Sequence, residues 1–259
     1  MKAYTIPDKI KKILIKAGVI AIWLLLWQLT AAIVGSAFLF PPPLTVIKRL
    51  FELAVTPAFL KSCAFTLMRI SAGCLLGIIA GTAMGVISAF SKPLRAFFSP
   101  ALTVIKTTPV ASFIILLLLW LSRTGVTVAV SCLLVAPILW ANTAQGIASA
   151  DRGLIEMSRL YGFSRLKRFA NIYAPAALPS FSAGVTTAIG FAWKSGISAE
   201  VIATPEFAIG TSIYRAKLGL EYTDLFAWTL AVIILSLLIE KTLVFLLKKF
   251  VFERRKRHD

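Results

Sequence analysis

The sequence predicts an all-α, polytopic membrane protein with about six spanning helices, and three observations carry that expectation. Of its 259 residues, 58% are hydrophobic and 15% charged, against about half apolar and about a quarter charged in an ordinary soluble domain. Polar segments divide the apolar residues into six runs, each near the roughly 20 residues that cross a bilayer core. The 28 Lys and Arg residues, which give a formal net charge of +17, collect between those runs. That placement suits loops beside anionic lipid and argues against a nucleic-acid surface.

Residues 1–16 form a basic segment carrying Lys2, Lys9, Lys11, Lys12 and Lys16. The apolar run that follows, 17–40, has no small-residue cleavage site and reads as a retained first span rather than a signal peptide. Pro41-Pro42-Pro43 then leads into residues 44–51, a short amphipathic helix expected at the interface. The remaining runs cover 67–90, 101–121, 125–147, 176–203 and 225–250. Residues 17–250 thus make one transmembrane domain, and 251–259 a basic tail. In the second run, Gly73, Gly77, Gly81 and Gly85 recur every four residues. They line one helix face and let another backbone approach, either within the subunit or across a subunit interface.

Six spans put both termini on one side. That side then holds eighteen Lys and Arg residues against six on the other, which by the positive-inside rule makes it the cytoplasm. Cys63, Cys74 and Cys132 are widely spaced and lie in or beside apolar runs, so they read as packing residues. The single histidine, His258, stands in the tail. No metal cluster, Ser/His pair or paired carboxylate in a span is available, which removes the usual enzyme chemistries. The chain also lacks a G-x-x-x-x-G-K-[ST] phosphate loop, so it is not expected to hydrolyse ATP or to bind a cofactor.

The most polar interior stretch is 151–175. Asp151 is placed to cap a short helix with Leu154, Met157, Leu160 and Tyr161 on one face, and Glu156 stands three residues from Arg159, the spacing of a side-chain pair. Gly162 interrupts the helix. Ser164 is placed to cap a second segment in which Arg165, Lys167 and Arg168 supply charge. Pro175 and Pro179 are expected to end this pair and open the fifth span. A stiff, bent helix pair of this kind suits a mechanical push from a soluble partner; a basic loop resting on lipid headgroups is the plainer alternative.

These residues resemble the loop of permease subunits of bacterial ATP-binding-cassette importers, whose pattern is Glu-Ala-Ala, three residues, Gly, nine residues, Ile, one residue, Leu-Pro. Here Glu156-Met157-Ser158, Gly162, Ile172 and Ala174-Pro175 stand at the same spacing, with Met157, Ser158 and Ala174 departing in identity. Phe40-Pro41-Pro42-Pro43, Thr66-Leu67-Met68-Arg69, Thr108-Pro109, Ala192-Trp193-Lys194-Ser195 and Ala199-Glu200 extend the likeness to the nitrate, taurine and aliphatic sulfonate branch. The resemblance implies a type I importer permease fold with a cytoplasmic coupling helix, in which Glu156, Ser158, Arg159, Gly162, Phe163, Arg165, Ile172 and Pro175 meet the ATPase. It also implies a second copy of the permease, an ATPase subunit carrying ATP and Mg, an extracytoplasmic solute-binding protein and a bacterial cytoplasmic membrane. The implied cargo is a small anion or related organic molecule.

Charges within spans are candidate path residues, because they are costly in lipid and usually face protein or water. Lys194 and Glu200 in the fifth span qualify, with Trp193 beside them as a pathway wall or an interface anchor. Six residues separate Lys194 from Glu200, so they do not share a helix face. Lys106 in the third span is near enough to its end to snorkel. The rival reading is an autonomous carrier or channel driven by an ion gradient, which calls for ionisable groups deep in the spans.

Overall fold

Eleven α-helices make up the computed structural model, which describes the backbone of residues 8–36 and 38–255 and the side-chain environments of residues 15–36 and 38–242. The basic side chains of the N-terminal segment before Lys16 and those of the C-terminal tail lie outside the described residues. The helices are α1 (Asp8–Val34), α2 (Pro43–Ala54), α3 (Pro57–Phe90), α4 (Lys92–Thr107), α5 (Val110–Leu117), α6 (Arg123–Ala148), α7 (Arg152–Leu160), α8 (Arg165–Arg168), α9 (Ala174–Ala203), α10 (Ile209–Leu218) and α11 (Tyr222–Arg255).

Local chemistry accounts for most of their ends. Pro43 and Pro57 open α2 and α3, where a missing N–H is harmless, and Thr56, Ser91 and Ser122 accept backbone N–H bonds at the starts of α3, α4 and α6.

α3, α6 and α9 form the centre of the bundle. All four glycines of α3 face α6: a Cβ on Gly77 would stand 2.7 Å from Val135 Cβ, and one on Gly85 2.7 Å from Thr143 Cβ, both too close for real atoms. α6 approaches α9 in the same manner, with Gly146 against Ala177 and Gly184 against Asn142. Small residues let these backbones meet, so dispersion between close surfaces holds helices that lipid leaves without a hydrophobic drive. Cys63 and Cys74 are buried, Cys132 is half-buried, and all three are free thiols.

α1 lies outside this centre, with Trp23 and Ile33 exposed. Trp27 holds it in place by donating to Pro41 O at 3.2 Å and touching Phe226 of α11 at 6.0 Å between ring centroids. α2 is fastened to α11 by Arg49, whose guanidinium donates to both carboxylate oxygens of Asp224 at 2.6 and 3.0 Å. Those bonds, then the one to Glu52, hold Arg49 above even its high ordinary pKa.

Two expectations about the spans change. The third run is not a straight crossing: α4 and α5 meet at a 104° bend. The cause is Pro109, which has no N–H to continue the helix and forces Thr108 into an extended conformation (ψ 131°). The segment between the second and third runs, with Lys92 and Arg95, accordingly belongs to α4. Among the described residues, four helices are individually long and apolar enough to cross a membrane, and the bent pair makes a fifth candidate. α9, at 30 residues, has the length to cross but is rich in Ala, Gly, Ser and Thr, and six spans are reached only by including it. The helix α10 was not anticipated.

Candidate functional site

The bent element between α6 and α9 is assembled from local signals. Asp151 accepts hydrogen bonds from Gly153 N at 2.7 Å and Leu154 N at 3.2 Å, capping α7. Gly162 ends that helix at φ +67°, with its N–H on Arg159 O (3.1 Å) while Phe163 N reaches Ser158 O (2.9 Å). This paired closure is a Schellman motif, and it turns the chain while pairing the carbonyls of Ser158 and Arg159. Ser164 then caps α8, accepting from Lys167 N at 3.3 Å.

The second half departs from expectation. Pro175 and Pro179 were expected to stop the pair and begin a separate span, yet Phe169–Tyr173 is a π-helical turn that joins α8 to α9 without interruption. Pro175 cannot donate to Asn171 O, and widening the turn to i→i+5 accommodates the ring while keeping the helix continuous. Ile172 sits half-buried in this turn, and Pro175 occupies the first turn of α9. Phe90 at the end of α3 braces it from the side, edge-on to Tyr173 at 5.0 Å. Backbone is therefore continuous from α8 into α9, and α9 meets α6 where Gly146 packs against Ala177.

The faces of this element divide sharply. Ser158 is buried and donates to Ile155 O at 2.7 Å. Phe163 is half-buried beneath Lys167, whose Nζ lies 4.3 Å from the ring centroid. Leu160, Tyr161 and Leu166 are 87%, 75% and 83% exposed, with Leu154 and Met157 about half exposed beside them. Contiguous exposed apolar side chains on a polar element mark an interaction surface. Glu156, Arg159 and Arg165 are exposed around it, but the expected Glu156–Arg159 ion pair does not form. Two solvated side chains gain little from pairing, so their spacing alone does not bring them together.

A second cluster lies at the other end of α9. Glu200 is fully buried and engaged by partners inside the bundle. One carboxylate oxygen accepts from Thr66 Oγ1 at 2.8 Å and Gly210 N at 3.2 Å; the other faces Arg69 Nη1 at 3.4 Å. Arg69, 6% exposed, also donates to Glu206 O at 2.8 Å and Phe207 O at 3.1 Å. Thr66 in turn accepts from Ile209 N at 3.0 Å. This network ties α3 to α9 and to the turn before α10, where Thr204 and Phe207 both adopt φ +47°. In the sequence Thr66 and Arg69 stand out only as a family fragment; an arginine in one span and a glutamate in another is the signal that could pair them.

Trp193 is buried and lines an apolar cavity of about 370 Å³ with Ile70, Cys74 and Ile239. Lys194 points the other way, on an exposed face of α9 shared with Thr187 and Ser198. Lys106 is exposed on α4, and among the described residues neither lysine has a carboxylate partner. No group of three metal-ligating side chains occurs among the described residues.

An all-helical bundle with close-packed small-residue contacts, several bilayer-length helices and a protruding bent helical element is the architecture of a polytopic membrane protein. The chain belongs to the family of binding-protein-dependent transport system inner membrane components, which it matches over residues 73–257. It is similar to a putative aliphatic sulfonates transport permease protein of Escherichia coli (strain K12), 33% identical over 85% of this chain and 82% of the relative. A second putative aliphatic sulfonates transport permease, from Bacillus subtilis (strain 168), is 27% identical over 84% of this chain and 78% of the relative. The fold also matches a chain in the crystal structure of a bacterial ABC transporter involved in import of the acidic polysaccharide alginate, with TM-score 0.63, 16% identity and coverage of 93% of this chain and 97% of that one. The chain is thus the permease component of an ABC importer.

Proposed function

We propose that this permease carries a small oxyanion of the sulfonate, taurine or nitrate type inward, driven by ATP hydrolysed on a separate subunit. The observation that carries the reading is the exposed apolar surface of Leu154, Met157, Leu160, Tyr161 and Leu166 on an element continuous with α9. A groove in the ATPase covers that surface, and Glu156, Arg159 and Arg165 around it form the polar rim expected of such a contact. Closure of the ATPase on ATP and Mg then moves α8 and, through the π turn, α9. This chain contributes no cofactor site of its own.

The element lies on the cytoplasmic side together with both termini, consistent with the bias of Lys and Arg. An extracytoplasmic binding protein delivers solute to the other side, and a second copy of the chain completes the path. Lys194 contributes the positive charge on the exposed face of α9, and the similarity to sulfonate permeases supports an anionic cargo.

Affinity purification of the tagged chain from its native membrane in mild detergent tests the reading. A phosphate-loop ATPase is expected in equal subunit number, with uptake of labelled alkanesulfonate abolished by ATP depletion. Recovery of the chain alone, with uptake after reconstitution that follows an ion gradient, would replace the importer with a carrier.

A further inference from the structure

A groove of about 460 Å³ runs between α4 and α6, lined by Arg95, Ser99, Leu102 and Lys106 on one side and by Ala141, Ala144, Gln145 and Ala148, with Trp140, on the other. The α4 residues recur at intervals of four, three and four, so they share one helix face. Three alanines on the facing wall of α6 keep the space open. No acid lines the groove, and among the described residues neither Arg95 nor Lys106 forms an ion pair. Trp140 is already committed, donating to Ser88 Oγ at 2.6 Å. What remains is two uncompensated cations, a hydroxyl and an amide facing a cavity, which together recognise an oxyanion.

Its position adds the direction. Ala148 closes α6 three residues before the cap of the docking element, and α4 begins beside Phe90, which braces Tyr173. The groove therefore lies toward the docking-element end of the bundle. Resting on the permease reading above, we infer that it is the exit track of the transported anion, with Arg95 and Lys106 as successive stations and Ser99 and Gln145 as hydrogen-bonding partners between them. The two cations are eleven residues apart, about 16 Å along the helix axis, farther than one lipid headgroup spans. The exposed apolar side chains Leu94, Phe97 and Val104 lie on a neighbouring face of α4, so bilayer contact falls beside the groove and not in it. Single cations in series bind a monovalent sulfonate or carboxylate well enough to admit it and weakly enough to release it.

The test needs neither ATPase nor binding protein. Ser99→Cys is introduced into the full chain in phosphatidylcholine nanodiscs, and its labelling by an anionic (sulfonatoethyl) and a cationic (trimethylammonioethyl) methanethiosulfonate is compared, each rate normalised to a free thiol. The parent chain, carrying Cys132→Ser because Cys132 is half-buried, supplies the background, since Cys63 and Cys74 are buried. The anionic reagent is expected to react about 25-fold faster than the cationic one, because a unit positive charge roughly 4 Å away in a water-like dielectric speeds the first about fivefold and slows the second about fivefold. That preference disappears when Arg95→Gln and Lys106→Gln are added, and ethanesulfonate slows the labelling. Equal rates, or a preference indifferent to those two substitutions, overturn the proposal. Protection by phosphatidylglycerol but not by ethanesulfonate also overturns it, making the groove a lipid site. Failure to recover an ATPase would sink the permease reading while leaving this charge preference intact, so the two failures are distinguishable.

Discussion

Replacing Glu200 with alanine is expected to destabilise the protein more than any other single polar substitution described. The carboxylate is fully buried and neutralises Arg69, which is itself 6% exposed. Removing one partner of a buried pair costs about 3–5 kcal/mol because a charge is left uncompensated. Arg69 keeps two carbonyl acceptors, Glu206 O and Phe207 O, which places the loss near about 3 kcal/mol, roughly two decades in the folding equilibrium. Thr66 Oγ1 and Gly210 N lose their acceptor as well. Glu200→Gln retains an oxygen for those two donors but is neutral and turns its NH2 toward Arg69, leaving that buried charge uncompensated, so its cost should approach about 3 kcal/mol. Reversible unfolding of the purified chain in mixed micelles, followed by tryptophan fluorescence, measures both. The double variant Arg69→Met with Glu200→Leu should recover part of the Glu200→Ala loss, since neither charge is then buried. Losses below about 1 kcal/mol for Glu200→Ala, or no recovery in the double variant, would refute the assignment of a buried ionic tie.

At Gly162 a Cβ meets nothing within 4 Å, but φ is +67°, so Gly162→Val should cost about 1–2 kcal/mol of local strain, leave membrane insertion intact and abolish uptake; normal uptake would remove the docking element from the mechanism. Gly81 offers the opposite case, since a Cβ there runs into the Ala136 backbone; Gly81→Leu should separate α3 from α6 and prevent accumulation of folded protein, judged by monodispersity on gel filtration. Asp151→Ala removes two cap bonds and should cost about 1 kcal/mol, visible as faster amide exchange confined to the first turn of α7. Lys194→Met should raise the KM for an anionic solute without altering protein level, and unchanged kinetics would return that residue to packing.

The elements of this protein were written in local sequence. Apolar runs of bilayer length mark α1, α3, α6 and α11, a prolyl start marks α2, and Asp151, Gly162 and Ser164 mark the bent docking element by capping chemistry that acts over two to five residues. Family resemblance read from Glu156, Gly162, Ile172 and Pro175 pointed to the same element, because its spacing is contiguous in the chain.

Tertiary structure decided what lies between elements. The glycine stripe of α3 announced a close approach, but only packing selected α6 as the helix it meets. The partners of Glu200, Thr66 and Arg69, stand 134 and 131 residues away, beyond the reach of any spacing along the chain. Residues 101–121 read as one span although Pro109 lies inside them, and the 104° bend depends on where α5 finds contact with α6 and α9. Pro175 suggested a stop, and the π turn that instead carries α8 into α9 depends on the brace from Phe90 as well as the missing N–H. Periodicity and caps determine an element because the hydrogen bonds involved close within a few residues. Which face meets which, and which buried charge finds which partner, is settled only when every helix competes for the same interior.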